Sequence, residues 1–397
     1  MAKEFSILEI QKELRKVNPF GDVISKNDFS KISEWIDTGN YHLNAAFSGD
    51  LFKGIPNNRS ICLAGESGTG KTYVLLNIAR EMQQKGYYVI YYDTEGAVDV
   101  DNIQNFGIDP EKFDHQPISD LPKFRTSITT LIKKMMEAKE KGFKTPKIFI
   151  ALDSLGMLAT QKEIDDAISG NTAADMTRSK VIRSLFRIIS SDLTGLGIPF
   201  IFTNHTYASV GMFPTINLSG GGGLVYSASV ILALSKAQIK EGTVQTGIIV
   251  TAKSLKNRFG KPHTIKFHIR WDKGMNRFIG MEEYISWETC GIEKGNIISQ
   301  KEFDKLSEKD QANAHPFEFE GKETQYFVPR ETARNFIIRH LGRGVSPYEL
   351  FTEQVFTHDV LSQINEKKIK PKFSYGIDSN EADEVDAFLI GNDLENE

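Results

Sequence analysis

The chain has 397 residues, of which 40% are hydrophobic and 25% are charged, and its formal net charge is −4 at pH 7. These values are typical of a soluble globular protein and do not indicate a strongly basic nucleic-acid binder. The two cysteines, Cys62 and Cys290, have no paired spacing, which argues against a disulfide framework or a cysteine zinc site and fits a reducing compartment.

The first segment, residues 1–34, begins with apolar residues at helical spacing between Ile7 and Val17, followed by Pro19 and Gly21. This spacing predicts a short amphipathic helix. A single small helix cannot bury its apolar face alone, so it either caps its own domain or packs on a neighbouring subunit. Charged residues occur in every turn of its first 17 residues, so it lacks the apolar stretch of a signal peptide. No apolar run in the chain reaches membrane-spanning length, so we expect a cytoplasmic protein without membrane contact.

Residues 35–280 alternate apolar runs with helical patterns. The first four apolar runs, which helical segments separate, lie at residues 60–64, 87–92, 147–152 and 199–203. The helical segments lie at residues 74–84, 121–141 and 174–189. This alternation predicts an α/β core with a mostly parallel central sheet and crossover helices. Three later runs have no helix between them and predict an antiparallel extension, at residues 230–234, 248–251 and 264–269.

The remaining chain divides into two segments of different composition. Residues 281–374 mix short helical and strand-like pieces and predict a small C-terminal domain. Residues 375–397 contain eight acidic residues and no lysine or arginine. This composition predicts a disordered acidic tail, which either increases solubility or competes for a basic surface.

A phosphate-loop motif follows the first apolar run of the core. It reads Gly65-Glu66-Ser67-Gly68-Thr69-Gly70-Lys71-Thr72 and has the pattern G-x-x-x-x-G-K-T between a predicted strand and a predicted helix. The glycines allow backbone N–H groups to surround phosphates, the lysine can reach the β and γ oxygens, and the threonine hydroxyl can ligate Mg²⁺. The motif therefore predicts a site that binds and hydrolyses a nucleoside triphosphate, ATP with Mg²⁺.

Two acidic residues end neighbouring apolar runs. Asp153 ends the run at 148–152, and its carboxylate is expected to orient the hydration shell of Mg²⁺ beside Thr72. Glu95 follows the preceding run and can polarise the water that attacks the γ-phosphate. A helix-capping role for Asp93 or Glu95 is the alternative.

The order of these motifs resembles that of RecA-type recombinases. The matching strings are Gly54-Ile55-Pro56, the phosphate loop, Tyr92-Asp93-Thr94-Glu95, Asp153-Ser154, and Asn204-His205 before a glycine-rich segment. The phage UvsX branch is most similar, on the strings Asp153 to Ala159, Asp175 to Arg178, Ser184 to Arg187 and Asn204 to Tyr207. The resemblance covers residues 35–280 and implies a RecA-like ATPase core.

The resemblance also implies roles for individual residues. Glu95 and Lys71 would be catalytic, and His205 would sense the γ-phosphate where bacterial RecA has a glutamine. Lys253 would reach across a subunit interface to the neighbour's γ-phosphate, with Lys256 as a second candidate. The alternative for these lysines is a basic hairpin turn.

Two segments after strand ends would line DNA in the resembling family. They are Gln161 to Thr172 and Thr206 to Gly223, and both are predicted to be loops. Tyr207 stands where bacterial RecA has an arginine. Arginines at helical spacing, from Arg178 onwards, can supply the missing positive charge to DNA, or they can form a solvent-exposed face of the helix. The expected DNA-binding residues are Arg178, Arg183, Val210, Gly220, Gly221, Gly222 and Gly223.

The resulting expectation is an ATP-dependent filament on single-stranded DNA that pairs with homologous duplex DNA and exchanges strands. A single-stranded DNA-binding protein and a mediator protein are expected partners, in host cytoplasm if the chain is phage-encoded. A hexameric helicase is one alternative, but it should carry an N-terminal domain and linker where only residues 1–34 precede the core. A regulatory ATPase that does not act on DNA is another, and it predicts tandem cores or a zinc motif.

Overall fold

A computed structural model describes residues 6–18, 20–171, 177–208, 216–218, 227–318 and 324–375. The chain divides into two compact units. The first comprises the chain up to Phe47, Phe52–Arg258 and Pro262–Gly280. The second comprises Ser48–Leu51, Phe259–Lys261 and the chain from Met281. The division into four segments with an N-terminal piece and an acidic tail stays a prediction, and residues 376–397 lie outside the described residues.

The first unit is built on a nine-stranded sheet with two small two-stranded sheets beside it. Its strands are β1 (Trp35–Ile36), β2 (Ile55–Pro56), β3 (Ser60–Gly65), β4 (Tyr88–Asp93), β5 (Phe113–Pro117), β6 (Ile148–Asp153), β7 (Phe200–Asn204), β8 (Thr206–Ala208), β9 (Ile216–Leu218), β10 (Val230–Glu241), β11 (Val244–Asn257), β12 (Thr264–Arg270) and β13 (Gly274–Met275). The large sheet has the order β13-β12-β11-β10-β3-β7-β6-β4-β5. Strands β1 and β2 form one small sheet, and β8 and β9 the other.

The large sheet changes direction at β10. From β10 to β5 every neighbouring pair is parallel, whereas β10, β11, β12 and β13 pair in antiparallel fashion. Strands β3, β6 and β7 are buried along their whole length, which explains their unbroken apolar sequences. The predicted α/β class and the antiparallel extension are therefore confirmed.

The helices of the first unit are α1 (Ile7–Val17), α2 (Tyr41–Ser48), α3 (Lys71–Gln84), α4 (Val100–Asn105), α5 (Leu121–Glu140), α6 (Gln161–Ser169) and α7 (Arg178–Leu196). Three of them, α3, α5 and α7, cover the two faces of the large sheet. Helices α5 and α7 pack on one face through a shared apolar cluster. Helix α3 contacts β3, β4, β6 and β7, and its residues lie outside that cluster, so it covers the opposite face. Among helices in the described ranges, none has the length and apolarity needed to cross a membrane.

The predicted N-terminal helix is confirmed as α1. Ser6 begins it by accepting a hydrogen bond from the Leu8 backbone N–H, and none of its residues is buried. The apolar side chains of Ile7, Leu8 and Leu14 are between 62% and 69% exposed. Packing of this helix on a neighbouring subunit remains a prediction.

The second unit contains a five-stranded antiparallel sheet of order β15-β16-β14-β17-β18. Its strands are β14 (Ile292–Ser299), β15 (His315–Phe317), β16 (Gln325–Pro329), β17 (Phe336–Ile338) and β18 (Arg343–Val345). Its helices are α8 (Trp287–Cys290), α9 (Gln300–Phe303), α10 (Glu308–Ala312), α11 (Pro347–Leu350), α12 (His358–Ile364) and α13 (Lys370–Phe373). Trp287 stacks on Phe327 with ring centroids 4.1 Å apart and anchors a separate apolar cluster.

Phe200 tests the packing of the first unit. It is fully buried, and its ring centroid lies 5.3 Å from that of Phe202 and 5.9 Å from that of Phe186. Phe200→Ala removes these contacts and leaves a cavity, so we expect the free energy of unfolding to fall by about 3–5 kcal/mol. Urea denaturation followed by circular dichroism measures this change. The exposed control Val244→Ala should stay within about 0.5 kcal/mol of wild type, and equal stability of both variants would contradict the packing.

Candidate functional site

Glycine residues determine the shape of the loop between β3 and α3. Gly68 and Gly70 have φ angles of +71° and +86°, in the left-handed region that residues with a Cβ atom rarely adopt. At Gly65 a Cβ atom would lie 2.5 Å from the carbonyl oxygen of Leu234 on β10. These three positions therefore permit the tight turn in which successive backbone N–H groups can surround a phosphate group.

Lys71, at the start of α3, turns its side chain back into this loop. Its Nζ donates hydrogen bonds to the carbonyl oxygens of Gly65 at 2.9 Å and Glu66 at 2.8 Å. Burial lowers the pKa of Lys71 below its ordinary value, against the opposing effects of the Asp153 and Glu95 carboxylates. A bound phosphate would supply better acceptors for this ammonium group than neutral carbonyls do.

Asp153 joins three elements at the carboxyl end of β6. Its Oδ2 accepts hydrogen bonds from the Thr72 hydroxyl at 2.5 Å and the Tyr91 hydroxyl at 2.9 Å. Its Oδ1 accepts a hydrogen bond from the Thr203 hydroxyl. Burial and the neighbouring Asp153 carboxylate raise the pKa of Tyr91 well above its ordinary range, so Tyr91 remains a donor. The carboxylate thereby ties α3, β4 and β7 to the end of β6.

The segment after β4 is attached to the end of β6 through Thr94. Its backbone N–H donates to the carbonyl oxygen of Asp153 at 2.8 Å, and its hydroxyl donates to the same oxygen at 3.0 Å. The Ser154 backbone N–H donates to the Thr94 hydroxyl oxygen at 2.7 Å. The residue that follows, Glu95, is therefore held beside the phosphate loop.

Glu95 contacts two other strand ends through one carboxylate oxygen. Its Oε1 accepts a hydrogen bond from the Ser154 hydroxyl at 2.9 Å and lies 3.3 Å from Nε2 of His205. An ionised carboxylate can only accept, so Nε2 of His205 is the donor in this contact. His205 directly follows β7 and precedes β8, so it connects the acidic side chain to the chain that continues from Thr206.

Asp93 shapes the turn that carries Glu95. Its Oδ1 accepts hydrogen bonds from the backbone N–H groups of Glu95 at 3.0 Å and Gly96 at 2.8 Å. Its Oδ2 lies 2.9 Å from Nε2 of His115 on β5. Burial alone would raise the pKa of Asp93, but the hydrogen bonds from His115 and three backbone amides lower that pKa below its ordinary value.

The contribution of β5 and His115 was not predicted from the sequence. A polar stretch, Asp-His-Gln-Pro, ends this strand, and Phe113 is the one of its five residues that is buried, so the strand lacks an apolar run. The alternation of strands and helices along the chain is the signal that could have predicted a strand after α4.

The structure brings together most of the predicted nucleotide-site residues. Four adjacent parallel strands, β3, β7, β6 and β4, end at this site. Glu95, Asp153 and His205 lie at or just after strand ends, and Lys71 and Thr72 begin the helix that follows β3. This is the edge where open α/β sheets bind their ligands. The site combines a cationic loop, a buried carboxylate and a partly exposed carboxylate.

Lys253 lies on β11, which β10 separates from β3 in the large sheet. It is exposed and, with Lys236, lines a cavity of about 400 Å³ that also includes Glu66 and Thr69 of the phosphate loop. Nζ of Lys236 donates to the carbonyl oxygen of Ser67 at 2.9 Å, a second basic contact to the loop that the sequence did not indicate.

The two predicted DNA-binding arginines have different surroundings. The Arg178 guanidinium donates to the Glu163 carboxylate at 2.8 Å and to the carbonyl oxygen of Gly156 at 2.8 Å. Arg183, which lies further along α7, is exposed. The other predicted DNA-binding residues, Val210 and Gly220, Gly221, Gly222 and Gly223, lie outside the described residues.

The segment treated as a loop at residues 161–172 contains the helix α6. Thr160 begins it with a reciprocal capping box, in which its hydroxyl accepts from the Glu163 N–H and the Glu163 carboxylate accepts from the Thr160 N–H. The pattern Thr-x-x-Glu is the sequence signal for this helix start.

The predicted magnesium ligands are compatible with that ion. The Thr72 hydroxyl and the Asp153 carboxylate are oxygen donors in direct contact, as Mg²⁺ prefers when phosphates and waters complete its shell. Within the described residues, no group of three or more His, Cys, Asp or Glu side chains could hold a metal by itself.

Comparison with known proteins identifies relatives over the first unit. The family model described as RecA N-terminal domain matches residues 4–276, more than half of the chain. The chain is 32% identical over 262 residues to the recombination and repair protein of Enterobacteria phage T4, covering 65% of this chain and 63% of that protein. It is 26% identical over 251 residues to protein RecA of Sulfurimonas denitrificans, covering 62% and 68% respectively. The match thus spans less than two thirds of the phage relative.

Lys71→Ala tests the phosphate loop. Without the ammonium group, the charge of a bound triphosphate loses its partner, so we expect ATP hydrolysis to fall by at least about 100-fold. A steady-state phosphate-release assay measures this loss. Lys85→Ala, beyond the other end of α3, should hydrolyse ATP at the wild-type rate. Undiminished turnover by Lys71→Ala would remove the site assignment.

Proposed function

The chain belongs to the RecA family, and on that basis we propose that it is an ATP-dependent recombinase. It forms a filament on single-stranded DNA, pairs that strand with a homologous duplex and exchanges strands. The observation that carries the proposal is the contact between Glu95 and His205, because it joins the phosphate-loop site to the chain segment expected to bind DNA.

ATP is bound by the phosphate loop. The backbone amides of Gly65, Glu66, Ser67, Gly68, Thr69 and Gly70 surround its phosphates, and Lys71 leaves its loop carbonyls to contact the β and γ oxygens. Thr72 would ligate Mg²⁺, and Asp153 would hold its water ligands. The ion adds positive charge that offsets the charge of the triphosphate.

Glu95 acts as the general base. Its carboxylate is partly exposed, so it can accept a proton from a water placed in line with the γ-phosphate. The Ser154 hydroxyl holds one of its oxygens and leaves the other available for that water.

His205 reports the presence of the γ-phosphate. A phosphate oxygen carries more negative charge than a shared carboxylate oxygen, so the Nε2–H of His205 exchanges Glu95 for the phosphate when ATP binds. That exchange frees Glu95 to contact the attacking water. It also moves His205, the residue directly before β8. ATP binding and the DNA-binding segment are coupled through one imidazole ring.

DNA contacts come from α7 and from the segment after β8. Arg183 is exposed and available to a phosphate, whereas Arg178 must first exchange its partner Glu163. Val210 separates bases, and Gly220, Gly221, Gly222 and Gly223 let backbone amides approach the DNA backbone. A single-stranded DNA-binding protein and a mediator protein assist assembly, in the cytoplasm of the host cell.

Strand exchange is the direct test of the proposed function. We expect the protein with ATP to convert circular single strands and homologous linear duplex into joined products, and ssDNA to stimulate its ATPase. ATPase without DNA stimulation would favour a regulatory ATPase. Unwinding of forked duplexes without strand exchange would overturn the recombinase in favour of a helicase.

Lys253→Ala tests a basic residue acting across the subunit interface. We expect ATP binding to be retained and DNA-stimulated hydrolysis to fall by at least about tenfold, because the neighbour's γ-phosphate loses a cation. Lys256→Ala, measured in parallel, identifies which lysine acts. Lys240→Ala, on the exposed end of β10, is the control. Full DNA stimulation in both Lys253→Ala and Lys256→Ala would exclude the role.

A further inference from the structure

We propose that His115 is a positioning residue for the catalytic carboxylate of Glu95 and acts through Asp93. The inference rests on the proposed ATPase function of Glu95. His115 lies on the edge strand β5, and its described side-chain hydrogen bond goes to Asp93 and not to the phosphate loop. Its effect on catalysis must therefore pass through that aspartate.

The two oxygens of Asp93 hold different parts of the structure. Oδ1 accepts from the backbone N–H groups of Glu95 and Gly96, whereas Oδ2 lies 2.9 Å from Nε2 of His115. The Asp93 side chain is only 1% exposed, so water cannot replace a lost donor at Oδ2 without opening the site. A carboxylate buried in this way requires hydrogen bonds to both oxygens.

The chemistry of the pair determines the proton position. An ionised carboxylate only accepts hydrogen bonds, so the ring nitrogen facing Asp93 must carry a hydrogen. A neutral imidazole with its proton on Nε2 is sufficient. The residues beside His115 on β5 form their own pair, since the Gln116 amide donates to Asp114 at 2.9 Å. Of these three neighbouring residues, His115 is the one that contacts Asp93 in the described hydrogen bonds.

Asp93 transmits this constraint to Glu95 through the turn. The turn is attached on one side because Thr94 bonds to the end of β6, and on the other because Asp93 Oδ1 binds two amides. Gly96 follows with a φ angle of +65°, which completes the tight turn. If Oδ2 loses its donor, the carboxylate can rotate, and the Glu95 backbone then loses one of its two attachments.

Loss of His115 should therefore reduce catalysis while leaving ATP binding intact. Lys71, Thr72 and the loop amides hold the nucleotide, and none of their described hydrogen bonds involves Asp93 or His115. A displaced general base lowers kcat, and a displacement of about 1 Å can cost about 100-fold. A merely structural role would instead lower stability or change KM.

The test compares variants of the full chain in a DNA-stimulated ATPase assay. We expect His115→Leu to lower kcat by about 10- to 100-fold with KM for ATP within twofold of wild type. His115→Gln restores a donor near the Nε2 position and should recover most of kcat. Gln116→Leu, on the same strand, should behave as wild type. In a Glu95→Asp background, His115→Leu should cost less than in wild type, because the base is already displaced.

A second measurement reads the positioning without relying on activity. Amide hydrogen exchange at Glu95 and Gly96 in nucleotide-free protein should become at least about tenfold faster in His115→Leu, and return towards wild type in His115→Gln. Unchanged exchange, or equal impairment of kcat by the Leu and Gln variants, would overturn the inference. An inactive wild type, or full activity of Glu95→Ala, would instead overturn the proposed function, and the exchange data would still decide the role of His115.

Discussion

The buried carboxylate of Asp153 is the constraint on which the site depends. A charge at the end of a buried strand is costly unless several donors satisfy it. Asp153 obtains its donors from Thr72, Tyr91 and Thr203, which lie on the helix after the loop and on the two strands beside β6. Because one carboxylate binds all three, the loop, β4 and β7 reach the same edge of the sheet in a fixed arrangement.

This arrangement extends from Asp153 to the acidic and imidazole side chains around it. Thr94 bonds to the main chain of Asp153, which places Glu95 within reach of Ser154 and His205. The Glu95 carboxylate is partly exposed, and in the proposed function its second oxygen contacts the attacking water. In the proposed function, a change at the phosphate reaches the end of β7 through the contact between Glu95 and His205.

Local signals in the sequence predicted a large part of this structure. The loop from Gly65 to Thr72 is recognisable because its chemistry is contiguous, and the buried strands because they are apolar throughout. The bonds from Thr203 and Tyr91 to Asp153, and from His115 to Asp93, depend on strand order, which composition does not encode. Helix α6 was missed for a different reason. Its Thr160–Glu163 capping box is a local signal, but residues 161–172 were interpreted as a loop because of the family resemblance.

In the proposed function, the occupant of the phosphate loop controls assembly on DNA. Electron microscopy of the protein with single-stranded DNA tests it most directly, in parallel samples with ADP and with a non-hydrolysable ATP analogue. We expect regular helical filaments with the analogue, and sparse or disordered complexes with ADP, because only a γ-phosphate draws His205 away from Glu95. Identical filaments in both samples, or none in either, would contradict it.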